Sequence, residues 1–166
     1  RLYRLINSDV KTGLAVFVTG SMEFVHDPSV QDLVRQEQPD VMLLKNSDGL
    51  AALHRATVSV AWDDIYYQGI INQHLSFSVF MDTLVGACLC QRLDADTGEL
   101  LFIGVLPSWR RRGWATKILT ACLDAAQRAG IATLHLEVEA ENTPAQALYA
   151  TLGGQQVGLR RDYYGP

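Results

Sequence analysis

The sequence predicts an α/β protein built on a mixed sheet with helices on its faces. Three observations carry that expectation. The front half is rich in β-type apolar runs, the back half reads strand–helix–strand–helix–strand, and a basic, glycine-bearing turn joins them at "PSWRRRGWATKIL", 107–119.

Taken in order, "LAVFVTG" (14–20) reads as a short strand, and "DPSVQDLVRQ" (27–36) as a helix with Asp27 as N-cap and Pro28 in its first turn. "VMLLK" (41–45) reads as a strand, and "NSDGLAALHRATVSV" as a turn entering a helix. Trp62 and "DDIYYQGIINQ" suggest a second, short helix. "LSFSVFMD" (75–82) and "TLVGACLCQRL" (83–93) are β-rich runs that meet near Asp82 and Thr83, as in a hairpin. "DADTG" (94–98) is a turn, and "ELLFIGVLP" (99–107) is a third strand stopped by Pro107.

After Gly113 the period changes. Ala115, Ile118, Leu119, Cys122, Leu123 and Ala126 mark one face of an amphipathic helix that ends at Gly130. In "ATLHLEVE" (132–139), Leu134, Leu136 and Val138 share one face, and His135, Glu137 and Glu139 the other. "NTPAQALYATLGG" has Asn142 as N-cap, Pro144 in the first turn, an apolar stripe through Ala145, Leu148, Tyr149 and Leu152, and Gly153 as its stop. "QQVGLRRDYYGP" begins as a strand and ends in a Tyr-Tyr loop.

Composition narrows the function. Of the 166 residues, 48% are hydrophobic, enough for a core, and the net charge of −4 argues against a general nucleic-acid surface. No apolar run reaches the roughly 18 residues of a membrane span, and no signal-peptide pattern is present. Arg1 in place of Met suggests processing or a longer parent chain. The three cysteines, Cys88, Cys90 and Cys122, match no zinc spacing and fit small core residues in a reducing, cytoplasmic setting. The four histidines are scattered, so no metal site is expected.

The basic turn points to an anion. A helix N-terminus offers unpaired N–H groups and the positive end of its dipole, a glycine lets backbone approach closely, and Arg110, Arg111 and Arg112 suit a pyrophosphate. The alternative is a solvated charge run. "RRRGWA" lacks the Gly-Lys-Ser/Thr ending of a P-loop and is not G-x-G-x-x-G, which disfavours a nucleotide triphosphatase and a Rossmann dehydrogenase.

The stretch resembles the GNAT superfamily of acetyl-CoA-dependent N-acyltransferases, whose signature is Q/R-x-x-G-x-G/A. Arg110, Gly113 and Ala115 fill it, flanked by "FIGVLPSWRRRGWATKIL" and "LHLEVEAENTPAQALYATLG". The likeness spans about 41–166 and is greatest to the bacterial ribosomal-protein N-terminal alanine acetyltransferases, through "LEVEAENTPAQALYATLG" and "GLRRDYYGP". It implies a GNAT fold, a central, mostly antiparallel sheet with helices on both faces, in a domain at 41–166 behind an extension at 1–40 of unknown role.

The resemblance implies acetyl-CoA as co-substrate, with no metal. It maps the cofactor strand to Ile103, Gly104 and Val105, and the pyrophosphate loop to Arg110, Arg111, Arg112, Gly113, Trp114, Ala115 and Thr116. A cofactor-contacting asparagine maps to Asn142, the general base to Glu137 and the general acid to Tyr149. Each has a plainer use: Glu137 as an exposed strand carboxylate, Tyr149 as core packing, and Asn142 as a helix cap alone. His135, two residues from Glu137, either tunes that base or is an ordinary half-buried histidine. A phenylalanine is common in the family where Gly154 stands, a departure in packing.

For the acceptor, the resemblance maps a peptide groove to Val60, Trp62, Tyr163 and Tyr164. The expected acceptor is a protein N-terminus, with alanine first. The alternatives are a small-molecule amine or an acyl-CoA-binding module without turnover. Direct attack in a ternary complex is expected, because the cysteines offer no obvious acyl-enzyme nucleophile. No nucleic acid or membrane partner is expected, and the protein is a monomer or dimer. The family usually adds one more strand after the Tyr-Tyr loop. Either the chain is truncated after Pro166, or an N-terminal strand such as 14–20 fills that edge.

Overall fold

The computed structural model describes residues 2–6, 20–22, 41–58 and 61–158, with the backbone alone for 2–6 and 20–22. The strands are β1 (Leu2–Ile6), β2 (Gly20–Met22), β3 (Val41–Leu43), β4 (Phe77–Phe80), β5 (Leu84–Arg92), β6 (Thr97–Val105), β7 (Thr133–Glu137) and β8 (Gln155–Gly158). The helices are α1 (Leu50–Val58), α2 (Asp64–Ile71), α3 (Trp114–Arg128) and α4 (Thr143–Thr151). The chain forms two compact units: Arg1–Ser29 with Arg92–Leu100 and Ala126–Pro166, and Val30–Gln91 with Leu101–Ala125.

In the second unit the strands run β6-β5-β4-β3. β3 and β4 pair antiparallel from Val41↔Val79 to Leu43↔Phe77, and β4 and β5 form the expected hairpin through 81–83. β5 is buried on both faces, and its period of two divides the work. Ala87 and Leu89 join Leu50, Leu53, Ile70 and Ile71 of α1 and α2 in one apolar cluster. Gly86 and Cys88 turn the other way: a Cβ on Gly86 would meet Ile118 of α3, and the Cys88 thiol reaches Cys122. Helices therefore cover both faces of this sheet, and the three cysteines are buried thiols, as their positions predict. Burial, then the contact with Cys122, pushes the Cys88 thiol well up, so it stays protonated.

In the first unit, β6 pairs parallel with β7 over four positions, Thr97↔Thr133 to Leu100↔Leu136. β1 pairs antiparallel with the other side of β7, from Leu2↔Glu137 to Ile6↔Thr133, and β2 pairs with β8. An N-terminal strand, 2–6, does lie at that edge. Residues 14–19 and the helix expected at 27–36 lie outside the described residues, and Gly20 opens β2. β6 starts two residues before the strand expected at 99–107, because Thr97 N–H donates to Asp94 Oδ1 at 2.8 Å and the Leu93 N–H closes the turn on Thr97 O at 2.8 Å.

Candidate active site

β6 runs on to Val105, five residues past its last pair with β7. Those five residues, Ile103, Gly104 and Val105 among them, belong to the second unit. Leu106 then ties the exit to β5 by donating to Val85 O at 2.8 Å. Pro107 opens a single 3-10 turn to Trp109, which a proline at the first helical position favours. The next residues hold a shape that is not helical. Arg110 is extended, Arg111 has φ of +62°, and Gly113 has φ of +80°.

The three arginines are not equivalent. Arg110 Nε donates to Val105 O at 3.0 Å, turning back on the strand. Arg112 Nη2 donates to Ser108 O at 3.2 Å, and its guanidinium lies over the Trp109 ring, 4.9 Å from the centroid. Both brace the loop. Arg111, exposed, sits in the left-handed region that few residues other than glycine adopt.

α3 begins immediately behind this loop. Lys117 N–H donates to Gly113 O at 3.1 Å, the first bond of the helix, so the amides of Trp114, Ala115 and Thr116 precede any intrahelical partner. Gly113 has no side chain to cap them, and a Cβ built there would meet nothing within 4 Å. The cradle is open, basic and lined by backbone donors, which fits a pyrophosphate. The Trp114 indole does not join it: Nε1 is buried and meets no partner among the described residues.

In the first unit, the alternation read for β7 holds. Leu134, Leu136 and Val138 are buried, His135 is half-buried, and Glu137 and Glu139 are exposed. Asn142 caps α4, accepting from Ala145 N–H at 3.2 Å through Oδ1. That leaves its amide nitrogen and backbone for other work. Tyr149 is 4% exposed, on the apolar stripe of α4. Of the groove residues, Trp62 is described, and it is half-buried. Val60, Tyr163 and Tyr164 lie outside the described residues.

Around Trp62 is a cluster that the sequence reading passed over. His54 is buried at 4% exposure, stacked on Phe102 (centroids 4.4 Å, 29°) and edge-on to Trp62 (4.5 Å, 79°). Its Nδ1 lies 2.9 Å from Tyr67 Oη, and Trp62 N–H donates to the same oxygen at 3.0 Å. The available signal was positional: His54 falls on the buried face of α1 with Leu50 and Leu53. Among the described residues, no group of three or more His, Cys, Asp or Glu is placed to hold a metal ion, and no helix is long and apolar enough to cross a membrane.

The signature loop, the parallel β6–β7 pair and the helix at the loop define the class. This chain belongs to the Acetyltransferase (GNAT) family, which it matches over residues 46–153. It is similar to the ribosomal protein bS18-alanine N-acetyltransferase of Haemophilus ducreyi, 40% identical over 83 residues covering 50% of this chain and 57% of that protein. It is also similar to the N-alpha-acetyltransferase RimI of Mycobacterium tuberculosis, 42% identical over 85 residues, 49% of this chain and 52% of the relative. The chain thus spans little more than half the length of these relatives. Among solved structures, the ribosomal-protein-S18-alanine N-acetyltransferase from Escherichia coli superimposes with a TM-score of 0.58 at 27% identity, covering 68% of this chain and 75% of that one.

Proposed function

We propose that this chain moves the acetyl group of acetyl-CoA to the N-terminal α-amine of a protein, of the ribosomal-protein-alanine type, by direct attack in a ternary complex. The observation that carries the reading is the open start of α3: backbone amides behind Gly113, with the exposed Arg111 and a loop braced by Arg110 and Arg112. That cradle suits the pyrophosphate of a CoA thioester. The named activity of the similar proteins supports the acceptor. The acetyltransferase domain is 41–166, and 1–40 is an extension that contributes β1 and β2. Buried thiols suit a reducing compartment such as the cytoplasm.

The chemistry forms one bond and breaks one. The amine nitrogen bonds to the thioester carbonyl carbon, the C–S bond breaks, and the proton shed by the amine must leave while the thiolate gains one. A chain α-amine has a pKa of about 7.7–8.0 against about 10.4 for lysine, so deprotonating it near neutral pH is easier by about 3.4 kcal/mol. An exposed carboxylate such as Glu137, directly or through water, is adequate for that task. Tyr149 is assigned the proton for the thiolate, and Ile103, Gly104, Val105 and Asn142 the rest of the cofactor. Val60, Trp62, Tyr163 and Tyr164 are assigned the peptide. The buried, protonated Cys88 supports direct attack over an acyl-enzyme.

The test is to incubate the protein with acetyl-CoA and a panel of peptides with different first residues, free polyamines and aminoglycosides, and to read mass shifts. Acetylation of a peptide α-amine, reduced at least about 100-fold in Glu137→Gln while acetyl-CoA still binds, is the expected result. Modification of small amines alone would move the assignment to a small-molecule acetyltransferase. Binding without any product would make the chain an acyl-CoA-binding module.

A further inference from the structure

We infer that His54 and Tyr67 are positioning residues that pin the acceptor wall at Trp62, an inference that rests on the proposed reading of Trp62. Tyr67 has no exposed surface, and its phenol sits inside the apolar cluster of the second unit. A buried hydroxyl is costly without partners. Tyr67 has two, and they lie on different segments: Trp62 N–H from the connection ahead of α2, and His54 Nδ1 from α1.

Trp62 N–H has no acceptor role, so Tyr67 Oη accepts from it. With His54 protonated on Nε2, the phenol proton in turn serves His54 Nδ1. The resulting relay runs Trp62 N–H to Tyr67 Oη–H to His54 Nδ1. It fixes the backbone at Trp62 in direction as well as in distance, which apolar residues of the same shape would not do.

The indole is held as well. The His54 ring touches it edge-on and lies flat against Phe102, while Tyr66 meets the Trp62 ring edge-on at 5.0 Å. Phe102 immediately precedes Ile103, Gly104 and Val105, and its ring lies over Gly104, where a Cβ would come within 2.5 Å of Cζ. The stack therefore connects the acceptor wall to the strand assigned to the cofactor. All of these groups belong to one unit. A pin of this kind sets where the acceptor's first residue is received. It is assigned no proton of the reaction, so its loss should be read in acceptor KM.

The experiment uses the full chain and Tyr67→Phe, which deletes one oxygen. The expected result is a KM for an alanine-first peptide raised about three- to tenfold, the effect of one lost hydrogen bond, with kcat and the KM for acetyl-CoA within about twofold. His54→Asn, which restores an acceptor near the Nδ1 position, should lie between wild type and His54→Leu. A merely structural role would lower the active fraction and move kcat without that split. In parallel, hydrogen exchange at the Trp62 amide should quicken about tenfold in Tyr67→Phe. An active wild type whose Tyr67→Phe variant keeps both its peptide KM and its Trp62 protection overturns the pin. A wild type that acetylates no α-amine overturns the reading on which the pin acts, and the exchange result still decides whether the relay holds Trp62.

Discussion

Three glycines of the second unit should respond to alanine in three different ways, and Gly104 is the most informative. It lies in β6 without the positive φ seen at Gly113, so backbone freedom is not the reason for a glycine there. Space is the reason. An added Cβ would sit 2.5 Å from Phe102 Cζ, 3.0 Å from Thr57 Oγ1 and 3.1 Å from Phe102 Cε2. The ring cannot swing away cheaply, because it is buried and stacked on His54. Thr57 cannot either: its hydroxyl is committed to Leu53 O at 2.9 Å and His54 O at 3.2 Å. Overpacking of this kind costs about 1–3 kcal/mol.

Gly69 gives the control. It lies inside α2, exposed, with nothing within 4 Å of a built Cβ, so Gly69→Ala should stabilise by about 0.5–1 kcal/mol through helix propensity alone. Gly113→Ala also finds open space, but at φ of +80° it carries about 1 kcal/mol of conformational strain and intrudes on the cradle. Urea unfolding reads all three. With a slope of about 2 kcal/mol per molar, Gly104→Ala should lower the midpoint by about 1 M and Gly69→Ala should raise it by a few tenths. A Gly104→Ala midpoint within about 0.2 M of wild type would refute the packing argument. So would a Gly69→Ala loss as large as that of Gly104→Ala, because only one of the two sites is crowded.

Two further outcomes follow from charge. Arg111→Ala should raise the KM for acetyl-CoA several-fold at low salt, less at high salt, and leave the urea midpoint unchanged, whereas Arg110→Ala should shift both, because its Nε holds Val105 O. Burial holds the His54 imidazole below its usual range, so the unfolded chain binds a proton that the fold resists. Stability should therefore fall as pH drops from about 6.5 through the folded value, and urea midpoints of His54→Asn between pH 7.5 and 5 should show that part of the slope removed.

The elements legible in the sequence were those with a period and a stop signal. α3 has an apolar stripe bounded by Gly113 and Gly130, and α4 has an Asn142 cap and a Gly153 stop, so both were read to within a residue or two. β7 showed its faces by strict alternation. β1 was not legible, since five residues of "LYRLI" carry no turn signal and no alternation, and their partner β7 lies more than a hundred residues away. Strand pairing at that separation is set by the vacancy it fills. The signature loop was legible as a motif, but the division of labour among its arginines was not. Which guanidinium returns to a carbonyl depends on the φ of Arg111, a property of the folded turn.

The His54 cluster shows the other limit. In the sequence, His54 is one polar residue on the buried face of a helix, and Tyr67 one aromatic residue thirteen positions later; neither spacing suggests a bond. Folding makes each the answer to the other's desolvation. Either side chain alone in that cluster would leave a buried polar atom unpaired, at about 1–3 kcal/mol, whereas together they satisfy one another and the Trp62 amide. That is why the pair cannot be weighed residue by residue. Removing His54 leaves the phenol proton without an acceptor, and removing Tyr67 leaves both Nδ1 and the Trp62 N–H unpaired. The two single variants should therefore cost more in sum than the double replacement His54→Leu with Tyr67→Phe, which removes both polar partners and orphans only the Trp62 N–H. Unfolding measurements on all four proteins that gave simple additivity would mean that the relay is a contact without coupling, and that the shape of the cluster alone holds Trp62.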